Sequence, residues 1–326
     1  MTLRELAEEA GVSISTASKA FRNSKEISPE TRDKIFKIAE KHGCFYKYYK
    51  KKYEKRMVAV ICPEIRSSYY SEQVEYIQQK LQEKNIVTMI ATDQFDTKRQ
   101  QMLLEFFAEH AKVDGVIILQ GKLPVPKGIE IPVVTLNVAM EEERADARNH
   151  CHIPLQKAMD EAVYHLRELG HTHVAFISEP LTTGSLQCFG HSMKKYRLTA
   201  HHVTAEGRFE EAGINGVRKL LENRLPCTAL ICAYDNMAIG AIKELKRHGF
   251  RVPEDYSVIG INNIPTAEYL DKGLTTIDQA YRAGCDFVCN LLIQKMENPY
   301  YCSNATITLT GGLIVRETTG PAKQEP

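Results

Sequence analysis

The 326-residue chain contains no tryptophan and no apolar run near the roughly 18 residues that a membrane-spanning helix needs. Its first residues lack the apolar core of a secretory signal, so we expect a cytoplasmic protein with no membrane partner. The sequence also lacks the G-x-G-x-x-G, Walker, H-E-x-x-H and G-x-S-x-G motifs. Without these motifs an enzyme has no support, and we expect no enzymatic activity and no cofactor.

No Cys-x-x-Cys pair is present, and the nine cysteines are odd in number and scattered. This distribution favours reduced, buried thiols over a disulfide framework. His150-Cys151-His152 and the pair Cys285 and Cys289 are the two groups that resemble metal ligands. Neither has a four-ligand zinc spacing, so we expect no metal site.

Charge is unevenly distributed, although the formal net charge is only +1. Residues 1–56 hold 14 Lys and Arg against 8 Asp and Glu, a balance of +6. The remaining residues hold 28 basic and 33 acidic side chains, a balance of −5. A small basic head on a larger, mildly acidic body predicts that the head binds a polyanion.

Three short amphipathic helices are predicted in the head, with a turn at Gly11 between the first two. Two short helices joined by a glycine-containing turn, with a third as support, are typical of a helix-turn-helix. The second helix would bury Ala17, Ala20 and Phe21 and would enter the major groove of DNA. Its other face offers one apolar group, hydroxyls and a cation: Ile14, Ser15, Thr16, Ser18 and Lys19. A small helical bundle without a ligand is the alternative.

The stretch 41–56, KHGCFYKYYKKKYEKR, favours DNA over that alternative. It holds seven Lys and Arg, one Glu and five interleaved aromatic residues. We interpret it as a segment that neutralises phosphates and contacts bases or a groove. Stacking on single-stranded nucleic acid would use a similar run, but it would not need the helix-turn-helix in front.

From residue 57 onwards, apolar β-rich runs alternate with amphipathic helices, and the alternation restarts after a break near 140–153. Fully apolar strands between helices indicate a parallel sheet that is covered on both faces. Two such sets predict two doubly wound lobes, with a ligand crevice at the carboxyl ends of the strands. The principal predicted strands are 57–62, 86–92, 115–119, 133–136, 173–178, 229–233 and 257–261.

Several segments, in the right order, resemble the lactose-repressor (LacI/GalR) family over essentially the whole chain. They are LAEEAGVS (6–13), TASK (16–19), VDGVI (113–117), LGH (169–171), DNMAIG (235–240), VPEDYSVIG (252–260), LTT (274–276) and LIVRE (313–317). The resemblance implies a dimeric transcription factor with an all-α helix-turn-helix head. It also implies a periplasmic-binding-protein-like α/β core of two parallel-sheet lobes that senses a small molecule.

This organisation predicts a head at 1–56, with a basic hinge at 44–56, and an effector-binding and dimerisation core at 57–326. Lobe 1 would comprise about 57–153 and 280–309, and lobe 2 about 154–279 and 310–326. Some relatives form tetramers through a C-terminal leucine heptad. Residues 319–326 hold two prolines and no heptad, so a homodimer is expected here.

The resemblance also implies contacts with DNA. Ile14, Ser15 and Lys19 would face bases, while Thr16 and Ser18 would touch phosphates. In the family, the hinge folds on the operator and wedges a leucine into the minor groove. Here Tyr53 stands at the position of that leucine. The hinge would then contact DNA through this tyrosine or through electrostatic attraction alone. The hinge cations that would contact DNA are Lys47, Lys50, Lys51 and Lys52.

The expected effector pocket departs from the family in its charged positions. Asn137, Gln187 and Asn262 stand where many relatives have Asp, Arg and Asp. Each amide keeps hydrogen-bonding capacity but carries no charge. A neutral sugar is therefore the expected effector, with Lys122 as the nearby cation that would be needed for an anion. The other expected pocket residues are an aromatic platform and the start of the DNMAIG motif: Tyr69, Tyr70, Phe209, Tyr234 and Asp235.

The leading hypothesis is a sequence-specific repressor that binds a pseudo-palindromic operator as a dimer under the control of this effector. A DNA-binding regulator whose core no longer senses a ligand is one alternative. A cytoplasmic solute-binding receptor with an incidental basic head is the other.

Overall fold

The chain forms two compact units, residues 1–56 and residues 57–326, and the first has a hydrophobic cluster of its own. The structure is a computed structural model. It describes residues 1–21, 24, 26–48, 56–121, 125–126, 128–137, 149–298 and 305–323, with Tyr46 and Lys47 described as backbone only.

The described residues of the head form four helices, α1 (Leu3–Ala10), α2 (Ile14–Phe21), α3 (Pro29–Lys41) and the single turn α4 (Phe45–Tyr48). A capping box begins α1, since Thr2 and Glu5 each bind the other's backbone N–H. Gly11 ends α1 in the left-handed conformation, with φ of 66°, which a residue without a Cβ adopts at little cost. Ala17, Ala20 and Phe21 are buried, so the predicted inner face of α2 is confirmed.

Phe45 and Tyr48 of α4 pack on the head, which corrects part of the interpretation of residues 41–56. The Phe45 ring lies edge-on to Phe36 at a centroid distance of 5.1 Å, and the Tyr48 ring lies 5.7 Å from that of Phe21. The Tyr48 hydroxyl donates a hydrogen bond to the Met1 carbonyl. These two rings fill the head core instead of facing DNA, because burying an aromatic ring stabilises so small a unit. The start of the predicted hinge is thus part of the folded head.

The core unit contains twelve described strands. They are β1 (Met57–Cys62), β2 (Val87–Thr92), β3 (Gly115–Leu119), β4 (Val133–Leu136), β5 (His150–His152), β6 (His173–Ser178), β7 (Thr199–Thr204), β8 (Ala229–Cys232), β9 (Ser257–Ile261), β10 (Thr275–Asp278), β11 (Thr306–Thr308) and β12 (Gly312–Ile314). The helices are α5 (Ser68–Glu83), α6 (Thr97–Glu105), α7 (Gln156–Glu168), α8 (Thr183–Tyr196), α9 (Phe209–Glu222), α10 (Asp235–Arg247) and α11 (Tyr281–Glu297). A π-helical turn, Phe106–His110, continues α6.

These strands form two six-stranded sheets, in the orders β11-β5-β4-β3-β1-β2 and β12-β10-β9-β8-β6-β7. All neighbouring strands run parallel except β10 and β12. In the first sheet, one face packs on α5 and α11 and the other on α6 and the π-helical turn. The predicted fold class, a helical head and two parallel-sheet α/β lobes, is confirmed.

The chain passes between the sheets after β5, β10 and β11, so each lobe is built from separate stretches of sequence. Lobe 1 denotes the first sheet with its helices, and lobe 2 the second. In lobe 2, α7 and α8 contact each other, as do α9 and α10. No helix within the described ranges combines the length and the apolar character required to cross a membrane.

Candidate nucleic-acid interface and interlobe cleft

The outer face of α2 carries all five residues predicted to contact DNA. The Ile14 side chain is 48% exposed, and Ser15 is also exposed. Thr16, Ser18 and Lys19 are half-buried at the edges of this face. The Thr16 N–H donates to Ser13 Oγ at 3.0 Å, and the two hydroxyl oxygens lie 2.9 Å apart. Ser13 therefore caps the helix that presents this face.

Lys19 is paired with a carboxylate that the sequence analysis missed. Its Nζ lies 2.5 Å from Glu26 Oε2, in the turn between α2 and α3. The hydrogen bond from Lys19 lowers the pKa of Glu26, so this carboxylate is ionised at neutral pH. The pair places one positive and one negative group beside the candidate DNA surface.

The hinge is largely beyond what the structure describes. Lys50, Lys51, Lys52 and Tyr53 lie outside the described residues, and the side chain of Lys47 is not described either. Their contacts with DNA stay predictions.

The interlobe cleft is marked by unusual backbone conformations. Seven non-glycine residues within three positions of a strand's carboxyl end have positive φ: Gln94, Phe95, Gln120, Asn137, Asn262, Asn263 and Ala280. Such conformations cost about 1–3 kcal/mol each and persist where the surrounding structure holds them, often at ligand sites. They follow β2, β3, β4, β9 and β10, where a doubly wound fold binds its ligand.

On the lobe 1 side, Tyr69 and Asn137 form a small polar site. Asn137 follows β4, and its Nδ2 donates to the Tyr69 hydroxyl at 3.0 Å. Its Oδ1 is buried and has no hydrogen-bond partner among the described residues. Burial raises the pKa of Tyr69, so its hydroxyl keeps a proton to donate. The ring of Tyr281, at the start of α11, packs edge-on against Tyr69.

Tyr70, next to this site, is held by lobe 1 as well. Its hydroxyl donates to Gln120 Oε1, and its ring lies 6.1 Å from that of Phe95. Tyr69 and Tyr70 are themselves in ring contact, with a centroid distance of 5.3 Å. The structure therefore brings these two predicted platform residues together with Asn137.

On the lobe 2 side, Phe209 and Tyr234 are brought together at the start of α9. Phe209 has φ of 57°, and its N–H donates to the Tyr234 hydroxyl oxygen at 2.8 Å. The Tyr234 hydroxyl in turn donates to Glu179 Oε1 at 3.2 Å. This chain fixes a strained aromatic residue at the cleft.

Arg208 joins the two sides. Its Nη1 and Nη2 atoms lie 2.7 and 2.8 Å from the carboxylate oxygens of Glu64, in lobe 1. Its Nε lies 3.3 Å from both oxygens of Glu179, in lobe 2. The pairing with Glu64 raises the pKa of Arg208 further above its usual value. The guanidinium lies 4.7 Å from the ring centroid of Phe209 and 5.6 Å from that of Phe95.

A model of bacterial regulatory proteins of the lacI family matches residues 2–45, and one of a periplasmic binding protein-like domain matches 163–319. The chain is similar to the HTH-type transcriptional repressor CytR of Escherichia coli, with 29% identity over 98% of this chain and 96% of that protein. The chain therefore combines a lacI-family helix-turn-helix domain with a periplasmic binding protein-like domain. Members of this family are transcriptional regulators, not enzymes.

Solved structures agree on the fold. The lac repressor dimer bound to operator and the anti-inducer ONPF has a TM-score of 0.70 at 20% identity, covering 98% of this chain and 99% of that one. A LacI family regulator from Enterococcus faecalis V583 with bound ribose has a TM-score of 0.70 at 23% identity, covering 82% of this chain and all of that one.

The structure corrects the expectation that Asp235 lines the effector pocket of this lacI-family core. The residue has 0% exposure. Its Oδ2 accepts the Ile264 N–H at 2.8 Å, and its Oδ1 accepts the Thr276 hydroxyl at 2.5 Å. Because both oxygens are used inside lobe 2, Asp235 positions the loop after β9. Asn262, on that loop, accepts a hydrogen bond from Gln279 Nε2 at 2.6 Å.

Two further predicted pocket residues, Gln187 and Lys122, stay predictions. Gln187 is exposed on α8 and makes no hydrogen bond with other described residues, because the buried face of α8 is formed by Phe189, Ser192 and Met193. Lys122 lies outside the described residues. Within the described ranges, no three His, Cys, Asp or Glu side chains group closely enough to hold a metal ion.

Four residues that were not predicted from the sequence shape the cleft: Glu64, Phe95, Glu179 and Arg208. Arg208 follows β7, an edge strand with the mostly exposed sequence TAHHVT, which gives no apolar signal. Phe95 follows β2, an edge strand of the other sheet. The position of the two glutamates was the available signal. Glu179 directly follows one predicted apolar strand, and Glu64 follows another with one residue between them.

Proposed function

We propose that this protein is a repressor that binds a pseudo-palindromic operator as a homodimer, controlled by a neutral, polyhydroxylated effector between its lobes. The observation that carries the DNA-binding part is α2, which buries its alanines and Phe21 while exposing Ile14 and Ser15. The exposed Ile14 side chain can contact a thymine methyl group in the major groove, beside the hydroxyls and the cation of the same face.

The effector class is supported by the polar site of Tyr69 and Asn137. The Asn137 Oδ1 is a buried acceptor with no partner in the part of the chain that the structure describes, and the Tyr69 hydroxyl retains a proton. A ligand hydroxyl can donate to the first and accept from the second. Satisfying a buried unpaired acceptor removes a penalty of about 1–3 kcal/mol. Sugars and other polyols carry such hydroxyl groups.

Charge in the cleft also favours a neutral effector. Arg208 is a cation that the sequence analysis did not expect there, but Glu64 and Glu179 both pair with it. With Arg66, whose guanidinium also lies over Phe209, two cations balance the two carboxylates. A phosphate or carboxylate ligand would find no surplus of positive charge there and would lose its hydration on burial. The similar Enterococcus faecalis regulator contains ribose, a neutral sugar.

A gel shift tests the DNA-binding part. Purified full-length protein is mixed with the DNA upstream of its own operon and with an unrelated duplex of equal length. We expect a retarded complex with the first at salt concentrations where the second remains free. Equal binding to both duplexes would contradict sequence-specific recognition.

Isothermal calorimetry against neutral sugars and their phosphorylated forms tests the effector part. We expect a neutral sugar to bind, and Asn137→Ser to weaken its binding about tenfold or more, since a hydrogen bond to a buried acceptor is lost. The control is Asn290→Ser, which changes an exposed amide on α11. Tight binding of a sugar phosphate would contradict the neutral class.

A second candidate is a regulator whose core no longer senses a ligand. It is favoured by the Arg208 side chain, which lies between the aromatic rings of the two lobes. No heat of binding across the whole panel, together with normal operator binding, would select this candidate.

A further inference from the structure

We propose that Arg208 is a clasp that holds the two lobes closed when no ligand is bound, and that a ligand enters only when the Arg208–Glu64 pair breaks. Glu64 follows β1 in lobe 1, whereas Arg208 precedes α9 in lobe 2. Among the ion pairs between described residues, this is the one that joins the two lobes. It differs from the other ion pairs of the core unit, which each connect residues of one lobe.

The geometry of the pair is that of a strong contact. Two guanidinium nitrogens face two carboxylate oxygens at 2.7 and 2.8 Å, and the side chains are only 32% and 15% exposed. A bidentate arginine–carboxylate pair that is shielded from water is stronger than a typical surface pair, which contributes little. The contact is therefore suited to hold two rigid bodies together.

Contacts within lobe 2 fix the Arg208 side chain independently of its pairing with Glu64 in lobe 1. Glu179, almost completely buried, binds the Nε side of the guanidinium, and Tyr234 binds both Glu179 and the Phe209 backbone. The positive φ of Phe209 directly after Arg208 sets the chain direction there. Because the guanidinium is already fixed within lobe 2, pairing with Glu64 costs less side-chain entropy than a free arginine would lose.

The clasp and a ligand compete for the same space. The guanidinium lies between the Phe209 ring of lobe 2 and the Phe95 ring of lobe 1. Arg66 covers Phe209 as well, with its guanidinium carbon 5.0 Å from the ring centroid. A ring-shaped ligand stacking on Phe209 would have to displace Arg208. This inference depends neither on DNA binding nor on the class of the effector, so it stands or falls separately from the proposed function.

Hydrogen exchange and small-angle X-ray scattering of the full-length protein without ligand test the clasp. In Arg208→Ala and Glu64→Gln, we expect amide exchange in residues 63–67, 93–96 and 205–209 to accelerate about tenfold or more. We also expect the radius of gyration to increase. Exchange in the centres of β1 and β6 should not change, because the lobes themselves stay folded. Arg208→Lys, which keeps the charge but loses the fork, should give an intermediate result.

The matched control is Arg218→Ala. Arg218 Nε lies 2.8 Å from Glu244, a carboxylate with a 2% exposed side chain, and both residues are in lobe 2. This variant removes an equally close ion pair without separating the lobes, so exchange at the cleft and the radius of gyration should match the wild type. If Arg208→Ala does not fold, Glu64→Gln decides, because it leaves Arg208 with Glu179. Wild-type exchange and scattering in a folded Glu64→Gln protein would overturn the clasp.

Discussion

Asp235 supports residues near the cleft but does not itself line it. It is fully buried at the start of α10, and it holds Ile264 and Thr276 on two neighbouring elements. Those elements carry Asn262 and lead to the chain crossing after β10. A carboxylate in this place links the shape of the cleft to the packing of lobe 2, because both of its oxygens accept hydrogen bonds inside that lobe.

Asp235 should make the stability of the core depend on pH. Burial raises the pKa of Asp235 to about 7, although hydrogen bonds from Thr276 and Ile264 oppose the shift. In the unfolded chain its pKa is near the ordinary value of about 3.9. The folded state therefore holds the extra proton between these values, and stability falls as pH rises by up to about 1.4 kcal/mol per unit.

Urea unfolding of wild type and Asp235→Asn between pH 4.5 and 8 measures this effect. We expect the free energy of unfolding of the wild type, relative to the variant, to decrease as pH rises and to level off above the folded pKa. The comparison cancels the histidines, which titrate in both proteins. If the free energy of unfolding of the wild type, relative to the variant, instead increased with pH, the folded state would favour the ionised carboxylate.

Lys19 and Glu26 should have opposite effects on DNA binding. Lys19→Ala removes a donor from the candidate DNA surface, so discrimination at one operator position should fall by about 1–3 kcal/mol. Glu26→Gln removes a negative charge next to that surface and should strengthen binding to all sequences. Competition gel shifts with operators substituted at single positions measure both effects. Lys37→Ala, an exposed change on α3, is the control. Uniform weakening of all operators by Lys19→Ala would assign the lysine to phosphates instead.

At the scale of elements, apolar strands and capped helices could be predicted, but polar edge strands could not. β1, β2, β3, β4, β6, β8 and β9 were predicted because their sequences are largely apolar, as is typical of strands in a parallel sheet. β5 and β10 are short, and β7 is mostly exposed at a sheet edge, so none has that signal. Arg208 was missed for the same reason, because it lies in the loop that follows β7. The Glu64 pairing was missed because it joins residues 144 positions apart.

The contact between α9 and α10 depends on two glycines. A Cβ on Gly240 would overlap the backbone of Glu210, and a Cβ on Gly213 would overlap that of Met237. Gly240→Ala should therefore lower the free energy of unfolding by about 1–3 kcal/mol, because a well-packed contact cannot absorb extra atoms. Gly190→Ala on α8 is the control, since its Cβ would meet open space and should stabilise by about 0.4–1 kcal/mol. Equal unfolding midpoints for both variants in urea would show that the helices can separate slightly.

At the scale of the whole molecule, charge is distributed unevenly between the head and the core unit. The head carries a balance of +6 and its own hydrophobic core, while the core unit carries −5. This distribution favours contact between the head and phosphates over contact between the larger unit and DNA. The exposed face of α2 has few side chains for base contacts, which is a small surface for selecting a site in a genome. In the proposed dimer, a second head on the same operator would supply the missing selectivity.

Operator binding should therefore require two chains and a fixed spacing of half-sites. Two heads related by a two-fold axis contact half-sites about one helical turn, roughly 34 Å, apart. Inserting five base pairs between the half-sites rotates one of them to the opposite face of the duplex. We expect this insertion to weaken binding by about 10²–10⁴-fold, since the second head no longer binds intramolecularly. Light scattering of the complex with the unaltered operator should give the mass of the duplex plus two chains of 36.9 kDa. Unchanged affinity after the insertion, with one chain per duplex, would establish that a single head recognises the operator.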